Sequence, residues 1–286
     1  MNYLFLVNRL GTMLTISMIM IFSYACGFKQ ASSKAMADSD PEWETGVALY
    51  SFNKSPFPQS LEKSKMAGAA YVEGYSFHQL GPAFGNKTFL DLDAAGLDAV
   101  KRMISENKLE MPSLYLSAKS KEEYSRYFEI GKELGIDFFV SEPAWEDLDM
   151  VDSLAGVFGI KVAIHEHARG KSLYWHPDSV LTAIQGHPNF MACGDIGHWV
   201  RSGLDPVECL SMLEGHLLSI HAKDLDESGN IAANDVKVGT GVIDYEAVLG
   251  ELRRQEFDGF IYVECEHDFE DNLEDVKSAV EYFKKN

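Results

Sequence analysis

Four polar residues, His165, Asp195, His221 and Glu264, each close a short apolar run: KVAIHEH, FMACGDIGH, LLSIHAKD and FIYVECEHD. Apolar runs of this length read as buried strands. Packing does not explain a core strand that ends in an imidazole or a carboxylate four times in succession. Taken singly, each residue reads as a satisfied structural group, so the joint pattern carries the expectation. Two imidazoles and two carboxylates at one point make a mixed nitrogen–oxygen site for one divalent ion. Mn²⁺ heads the list, with Co²⁺, Mg²⁺ and Zn²⁺ as alternatives. Such an ion, bound to a carbonyl oxygen and a neighbouring hydroxyl, stabilises the negative oxygen that forms when the adjacent carbon loses its proton. A carboxylate or histidine within reach takes that proton.

Positioning these groups requires an alternation of strands and helices, and the chain supplies it. Strands are expected at 45–50, 69–75, 111–117, 137–141, 161–165, 190–195, 217–221 and 260–264. Between them, stretches such as LDAVKRMISEN and KEEYSRYFEIGKELG repeat apolar residues at helical spacing, and Gly135 and Gly159 close two of them. Eight strand–helix units with no second composition zone define a single (β/α)8 TIM barrel, whose strand ends converge on one mouth. A doubly wound sheet is the alternative, but the chain has neither GxGxxG nor a P-loop, so no nucleotide cofactor is expected. Side chains alternate along a strand, which turns His165 and His167 inward and Glu166 toward the helices.

CGDIGH, HAKD at 221–224 and the YVE of the last strand resemble the xylose isomerase-like barrel superfamily, the sugar phosphate isomerases/epimerases. The resemblance runs from Thr45 to the C-terminus. It implies that Asp195, His221 and Glu264 are metal ligands, that His198 contacts substrate, and that Lys223 is a conserved-motif lysine of the binding site. At strand five the family carries a carboxylate that serves as ligand and as one of two opposed bases, alongside the strand-eight Glu. Here the position is His165, within His165-Glu166-His167. An imidazole can ligate in its place but brings no negative charge, so two-base epimerisation loses one partner.

Glu264, Glu142 (in SEP after strand four) and His198 are the expected acid–base residues. Glu142 is an exposed loop carboxylate in the bland reading. His167, His198, Lys223, Arg201, Trp175, Trp199 and Glu266 are the expected substrate contacts. Tyr174-Trp175-His176 and Trp199 offer aromatic faces for a sugar, and Arg201 offers paired donors for its oxygens. Packing of the aromatics and a surface position for the arginine are the competing readings. His78 and Glu73 are weaker candidates, Glu73 equally suiting a hydrogen-bond acceptor inside the barrel.

The N-terminus is a separate unit. Residues 1–25 hold no acidic residue and one basic residue, Arg9, ahead of the apolar run LGTMLTISMIMIFSYA. That length suits a signal peptide better than a membrane span. Cys26 directly after Ala25 resembles a bacterial lipoprotein signal and is the expected lipidation site, although Ser23 stands where such signals usually have Leu. Residues 26–42 read as a linker and 43–286 as the barrel. The expected location is therefore outside the cytoplasm, in the periplasm or cell envelope, with a lipid anchor as the only membrane contact. Cys193, Cys209 and Cys265 make no paired framework and read as core thiols.

A formal charge of −19 repels nucleic-acid phosphates and anionic headgroups, leaving a small carbohydrate as the expected partner. The same charge, with nine histidines in all, argues against a trinuclear-zinc DNA-repair nuclease of this fold. The leading reading is a divalent-metal sugar isomerase or epimerase that works on a keto-sugar through an enediolate. Loss of the strand-five carboxylate and export favour a lyase or hydrolase acting on 3-keto-glycosides as the alternative. A non-catalytic sugar-binding lipoprotein is the third.

Overall fold

The computed structural model describes residues 44–286. The expected signal segment, linker and Cys26 lie outside the described residues. Among those described, no helix is long and apolar enough to cross a membrane.

Strands β1 (Glu44–Ala48), β2 (Tyr71–Tyr75), β3 (Glu110–Leu116), β4 (Phe138–Ser141), β5 (Lys161–His165), β6 (Phe190–Asp195), β7 (Leu217–Ala222) and β10 (Phe260–Val263) form the barrel. It closes in the order β1-β10-β7-β6-β5-β4-β3-β2. Every barrel pair is parallel. A two-stranded antiparallel ribbon, β8 (Asp224–Leu225) and β9 (Asp235–Val236), lies between β7 and β10 in the chain. The helices are α1 (Phe57–Met66), α2 (Ala94–Glu106), α3 (Lys121–Leu134), α4 (Leu148–Phe158), α5 (Pro177–Ile184), α6 (Ile196–Arg201), α7 (Pro206–Met212), α8 (Tyr245–Arg254) and α9 (Leu273–Lys285). This is the (β/α)8 TIM barrel that the strand–helix alternation calls for.

Local chemistry explains the boundaries. Ser120 caps α3 by accepting the Glu123 N–H, and Gly135 ends that helix at φ 77°. Gly159 ends α4 at φ 68°. Both glycines sit in the left-handed region that a side chain disfavours.

Alternation then separates two cores. Ala48, Phe138, Val140, Ala163, Cys193 and Tyr262 fill the barrel interior, while Val162, Ile164, Ala192, Ile220, Ile261 and Val263 pack outward against the helices. Continuing the inward parity one step past Ala163, Cys193 and Tyr262 reaches His165, Asp195 and Glu264. Direct pairing of Asp195 with His221 sets two of the four expected ligands side by side. Cys193, Cys209 and Cys265 are buried and form no disulfide.

Asp224, the last residue of HAKD, is fully buried and binds four backbone N–H groups. Oδ1 takes those of Leu225 and Ile243, at 2.9 and 3.2 Å, and Oδ2 takes those of Gly239 and Gly241, both at 2.9 Å. The long connection bearing β9 is thereby tied down beside the barrel mouth.

Candidate metal centre

His165, Asp195, His221 and Glu264 are all buried, and one ligand atom from each lies within 4.8 Å of the others. His165 Nε2 is 3.4 Å from Asp195 Oδ2. His221 Nδ1 is 3.7 Å from that same oxygen and 3.1 Å from Glu264 Oε2. Three of these atoms, His165 Nε2, Asp195 Oδ2 and His221 Nδ1, are buried and make no well-directed hydrogen bond, although Lys223 Nζ stands 3.1 Å from Asp195 Oδ2 and Glu264 Oε2 stands 3.1 Å from His221 Nδ1. Buried polar atoms without directed hydrogen bonds are costly, and their convergence beside two carboxylates fits a cation between them.

The groups behind the ligands aim them at that point. Glu73 Oε1 accepts a hydrogen bond from His221 Nε2 at 2.8 Å, which leaves the Nδ1 lone pair facing the cluster. The Ser113 hydroxyl bridges Glu73 Oε2 and the Tyr262 hydroxyl, at 3.0 and 2.9 Å. Glu142 Oε1 lies 3.1 Å from His165 Nδ1 and leaves Nε2 free in the same way. A carboxylate behind a ligating imidazole is the usual means of fixing its tautomer. Asp195 divides its oxygens: Oδ1 caps α6 by accepting the His198 N–H at 2.8 Å, and Oδ2 faces the cluster. Glu73 is thus a hydrogen-bond acceptor inside the barrel.

The charge distribution favours a cation. Burial pulls the His165 ring down, but hydrogen bonds to Asp195 and Glu142 outweigh it and hold the ring at about 10. Burial likewise opposes His221, and the Cys193, Glu264 and Glu73 side chains raise it well above the usual range. Burial raises Glu264, but Lys223 and His221 overcome that and hold it well below the usual carboxylate range. With His165 at about 10, a metal ion arriving at neutral pH displaces a proton. Apparent affinity should therefore fall as pH drops from 8 to 6, by about tenfold per pH unit for each proton displaced. Competition against a chelator measures this. An affinity flat across that range would remove the two rings from the ligand set.

Lys223 is fully buried beneath the cavity. Its Nζ contacts Asp195 Oδ2 at 3.1 Å, Glu264 Oε2 at 2.7 Å, and Glu266 Oε1. Gly197 makes room for it, since a Cβ there would come within 2.3 Å of Lys223 Cγ. Lys223 therefore acts through the carboxylates, not as a surface of the cavity.

Above the cluster lies a cavity of about 160 Å³, lined by His165, His167, His198, His221, Glu264 and Glu266 together with the rings of Tyr50, Tyr75, Phe77 and Tyr115. The expected contacts His167, His198 and Glu266 line it. Lys223, also an expected contact, lies beneath the lining, and three further expectations are corrected. Trp199 is buried in the outer core, where its ring packs over Gly194 at a point a Cβ would meet at 2.4 Å. Arg201 is buried as well, ion-paired with Asp235, so its donors are not free for a sugar. Trp175 lies outside the lining, with the Arg169 guanidinium 5.7 Å from its ring, and its neighbour Tyr174 is buried with its hydroxyl on Pro143 O. His78 is also withdrawn, stacked on Tyr75 and bonded to Ser55 O. Glu166 points outward as alternation requires, and burial pushes its carboxyl up to about 8 against the opposing effect of Trp199.

Glu142 is repositioned too. Its Oε1 serves His165 Nδ1, His167 Nδ1 and the Tyr115 hydroxyl together, and although burial works against ionisation, the two histidines hold the carboxyl far below the usual range. A carboxylate so engaged is a poor proton acceptor, which removes it from the expected acid–base role. The aromatic wall was missed in the sequence, although the runs TGVALY and AAYVEGY both end in tyrosine and thus carried the signal.

A closed parallel barrel with a buried two-histidine, two-carboxylate cluster under its C-terminal mouth defines a TIM-barrel protein whose cluster could hold a metal ion. The family model described as xylose isomerase-like TIM barrel matches residues 61–286, and the chain belongs to that family. Among solved structures, an uncharacterised protein from Parabacteroides distasonis is 27% identical, with a TM-score of 0.69 over 86% of this chain and 99% of that one. The IOLI protein with a bound zinc atom is 17% identical, with a TM-score of 0.68 over 84% of this chain and 96% of that one. A 3-keto-D-glucoside 4-epimerase from E. coli is 15% identical, with a TM-score of 0.67 over 85% of this chain and 100% of that one. No curated protein matches the sequence.

Proposed function

We propose that this protein is a divalent-metal-dependent sugar isomerase or epimerase acting on a keto-sugar, by proton abstraction next to the carbonyl through an enediolate. The observation that carries the reading is the convergence of His165 Nε2, Asp195 Oδ2 and His221 Nδ1, buried and without directed hydrogen bonds, beside Glu264 under a cavity lined in part by aromatic rings. These four residues would hold the ion, Mn²⁺ first among the candidates, and bound there it would polarise a carbonyl and an adjacent hydroxyl. Membership of the family and the likeness to a 3-keto-D-glucoside 4-epimerase support a sugar with a ketone as substrate. The cavity's chemistry agrees: Tyr50, Tyr75 and Tyr115 present rings to C–H-rich sugar faces, while His167, His198 and Glu266 supply polar contacts. Expected export, with Cys26 as a lipidated N-terminus, makes an unphosphorylated sugar or glycoside the proposed substrate class.

A second reading rests on a specific observation. Neither Glu264 nor Glu142 is a free base, since the first is paired with Lys223 and His221 and the second with two histidines and Tyr115. Epimerisation by two opposed carboxylates is therefore disfavoured. Elimination from a 3-keto-glycoside needs one proton removed beside the ketone and loss of the aglycone oxygen, and it suits a one-sided site.

Incubation of the Mn²⁺-loaded protein in D₂O with free ketoses and, separately, with 3-keto-glycosides distinguishes the two by NMR. Deuterium beside the carbonyl with a new isomer supports isomerisation. Aglycone release from the keto-glycoside alone supports the lyase. Neither result with any divalent ion would sink both readings and leave a sugar-binding lipoprotein.

A further inference from the structure

His167 and His198 line the cavity but lie outside the ligand set. Their rings stack, with centroids 4.2 Å apart and planes 23° from parallel. The groups behind them are opposite in kind. His167 Nδ1 is 3.1 Å from Glu142 Oε1, and an ionised carboxylate only accepts hydrogen bonds. His167 therefore carries its proton on Nδ1 and leaves the Nε2 lone pair to the cavity. His198 Nδ1 is 3.4 Å from Arg201 Nη1, and a guanidinium only donates. His198 therefore carries its proton on Nε2, which lies 3.8 Å from Asp195 Oδ2 at the edge of the ligand cluster.

The arginine is held so that it cannot turn away. Asp235 on β9 pairs with its Nη2, and Ala233 O accepts from its Nε at 3.3 Å. The other Asp235 oxygen accepts the Glu266 N–H at 3.3 Å. The ribbon that Asp224 ties down thus reaches His198 through Arg201.

We propose that the stacked histidines form a matched acceptor and donor. His167 Nε2 takes the proton from the carbon beside the substrate carbonyl, and His198 Nε2–H hydrogen-bonds the oxygen that gathers charge. Glu142 and Arg201 are positioning residues that set the two tautomers. The inference rests on the keto-sugar reading and supplies the acid–base group that strand five has lost. In the step, an N–H bond forms at His167 as the C–H bond breaks. The C–H electron pair becomes the new C=C bond, and the carbonyl π pair moves onto oxygen. His198 keeps its proton and stays neutral, since full transfer would leave an imidazolate. Glu142 faces the imidazolium formed at His167 and offsets its charge.

Long-range ¹H–¹⁵N NMR of the ¹⁵N-labelled protein loaded with diamagnetic Zn²⁺ reads the tautomers directly. His198 should show a protonated, pyrrole-type Nε2 and a pyridine-type Nδ1, and His167 the reverse. Arg201→Met should shift both His198 nitrogens toward averaged values and leave the His167 tautomer in place, whereas Arg201→Lys, which keeps a donor, should restore the His198 pattern. The same tautomer on both rings, or a His198 spectrum indifferent to Arg201→Met, overturns the assignment. Should the variant fail to fold, the wild-type spectrum decides alone. Turnover is read separately: His167→Gln should lower deuterium exchange into a keto-sugar about 100-fold or more. Undiminished exchange in that variant overturns the acceptor role. Absence of exchange in the wild type overturns the proton-transfer half together with the proposed function, while the spectra still judge the tautomers.

Discussion

Asp195→Asn is expected to abolish tight binding of a divalent ion and to cut turnover at least about a thousandfold, with the barrel intact. A metal's stabilisation of developing negative charge is worth several kcal/mol, and each ~1.4 kcal/mol is a factor of about ten. The reason lies in the division of labour between the two oxygens. Oδ2 is the buried atom between His165, His221 and Lys223, and the amide that replaces it brings hydrogens and no charge. Oδ1 caps α6, and the asparagine carbonyl can keep that bond, because Asn and Asp cap helices about equally well. Asp195→Ala should lose the metal and also the cap, which costs about 0.5–2 kcal/mol more. Metal content after dialysis and amide hydrogen exchange over 196–201 separate the two effects. Retention of one ion at wild-type affinity in Asp195→Asn would exclude Asp195 as a ligand.

Lys223→Met is expected to destabilise the metal-free protein by about 3–5 kcal/mol, the usual result of removing one partner from a buried ion pair. Burial opposes the charge on Lys223, yet Asp195, Glu264 and Glu266 hold its ammonium well above the usual lysine range. Removing that ammonium leaves three carboxylates near one another, with the His165 and His221 rings as the remaining positive partners of Asp195 and Glu264. A divalent ion at the cluster would supply the missing positive charge to Asp195 and Glu264. The loss should therefore be clearly smaller in urea titrations run with saturating Mn²⁺ than in those run with chelator. Equal destabilisation in both would mean that the ion and the ammonium do not share these oxygens.

The barrel was legible because its strands announce themselves twice, as apolar runs and as runs ending in a polar group. All eight barrel strands lie within the expected segments to within about two residues. The four-residue cluster was legible for the same reason, since inward parity continues from Ala163, Cys193 and Tyr262 into His165, Asp195 and Glu264. Trp199 and Arg201 were not, and the cause is local. Because Asp195 caps α6, the chain turns helical at Ile196, and helical spacing then decides where later side chains point. One turn on, Trp199 folds back over Gly194 and Arg201 swings to Asp235. The engagement of Glu142 is invisible in sequence for a different reason. Its three donors come from two strand ends, Tyr115 on β3 and His165 and His167 at the end of β5, and only the pairing of both strands with β4 brings them to one oxygen.

Asp224 bears on how such proteins are recognised. It does not line the cavity above the cluster, and its four N–H partners lie in the connection between β7 and β10, so its value to the molecule is the same whether or not the barrel performs any reaction. A descendant that discarded its chemistry would still be under selection to keep that aspartate, and with it one of the four residues of the HAKD signature. Motif searches built on this tetrapeptide therefore detect ancestry and architecture more faithfully than catalysis. Within it, His221 and Lys223 report on the site, and Asp224 on the scaffold.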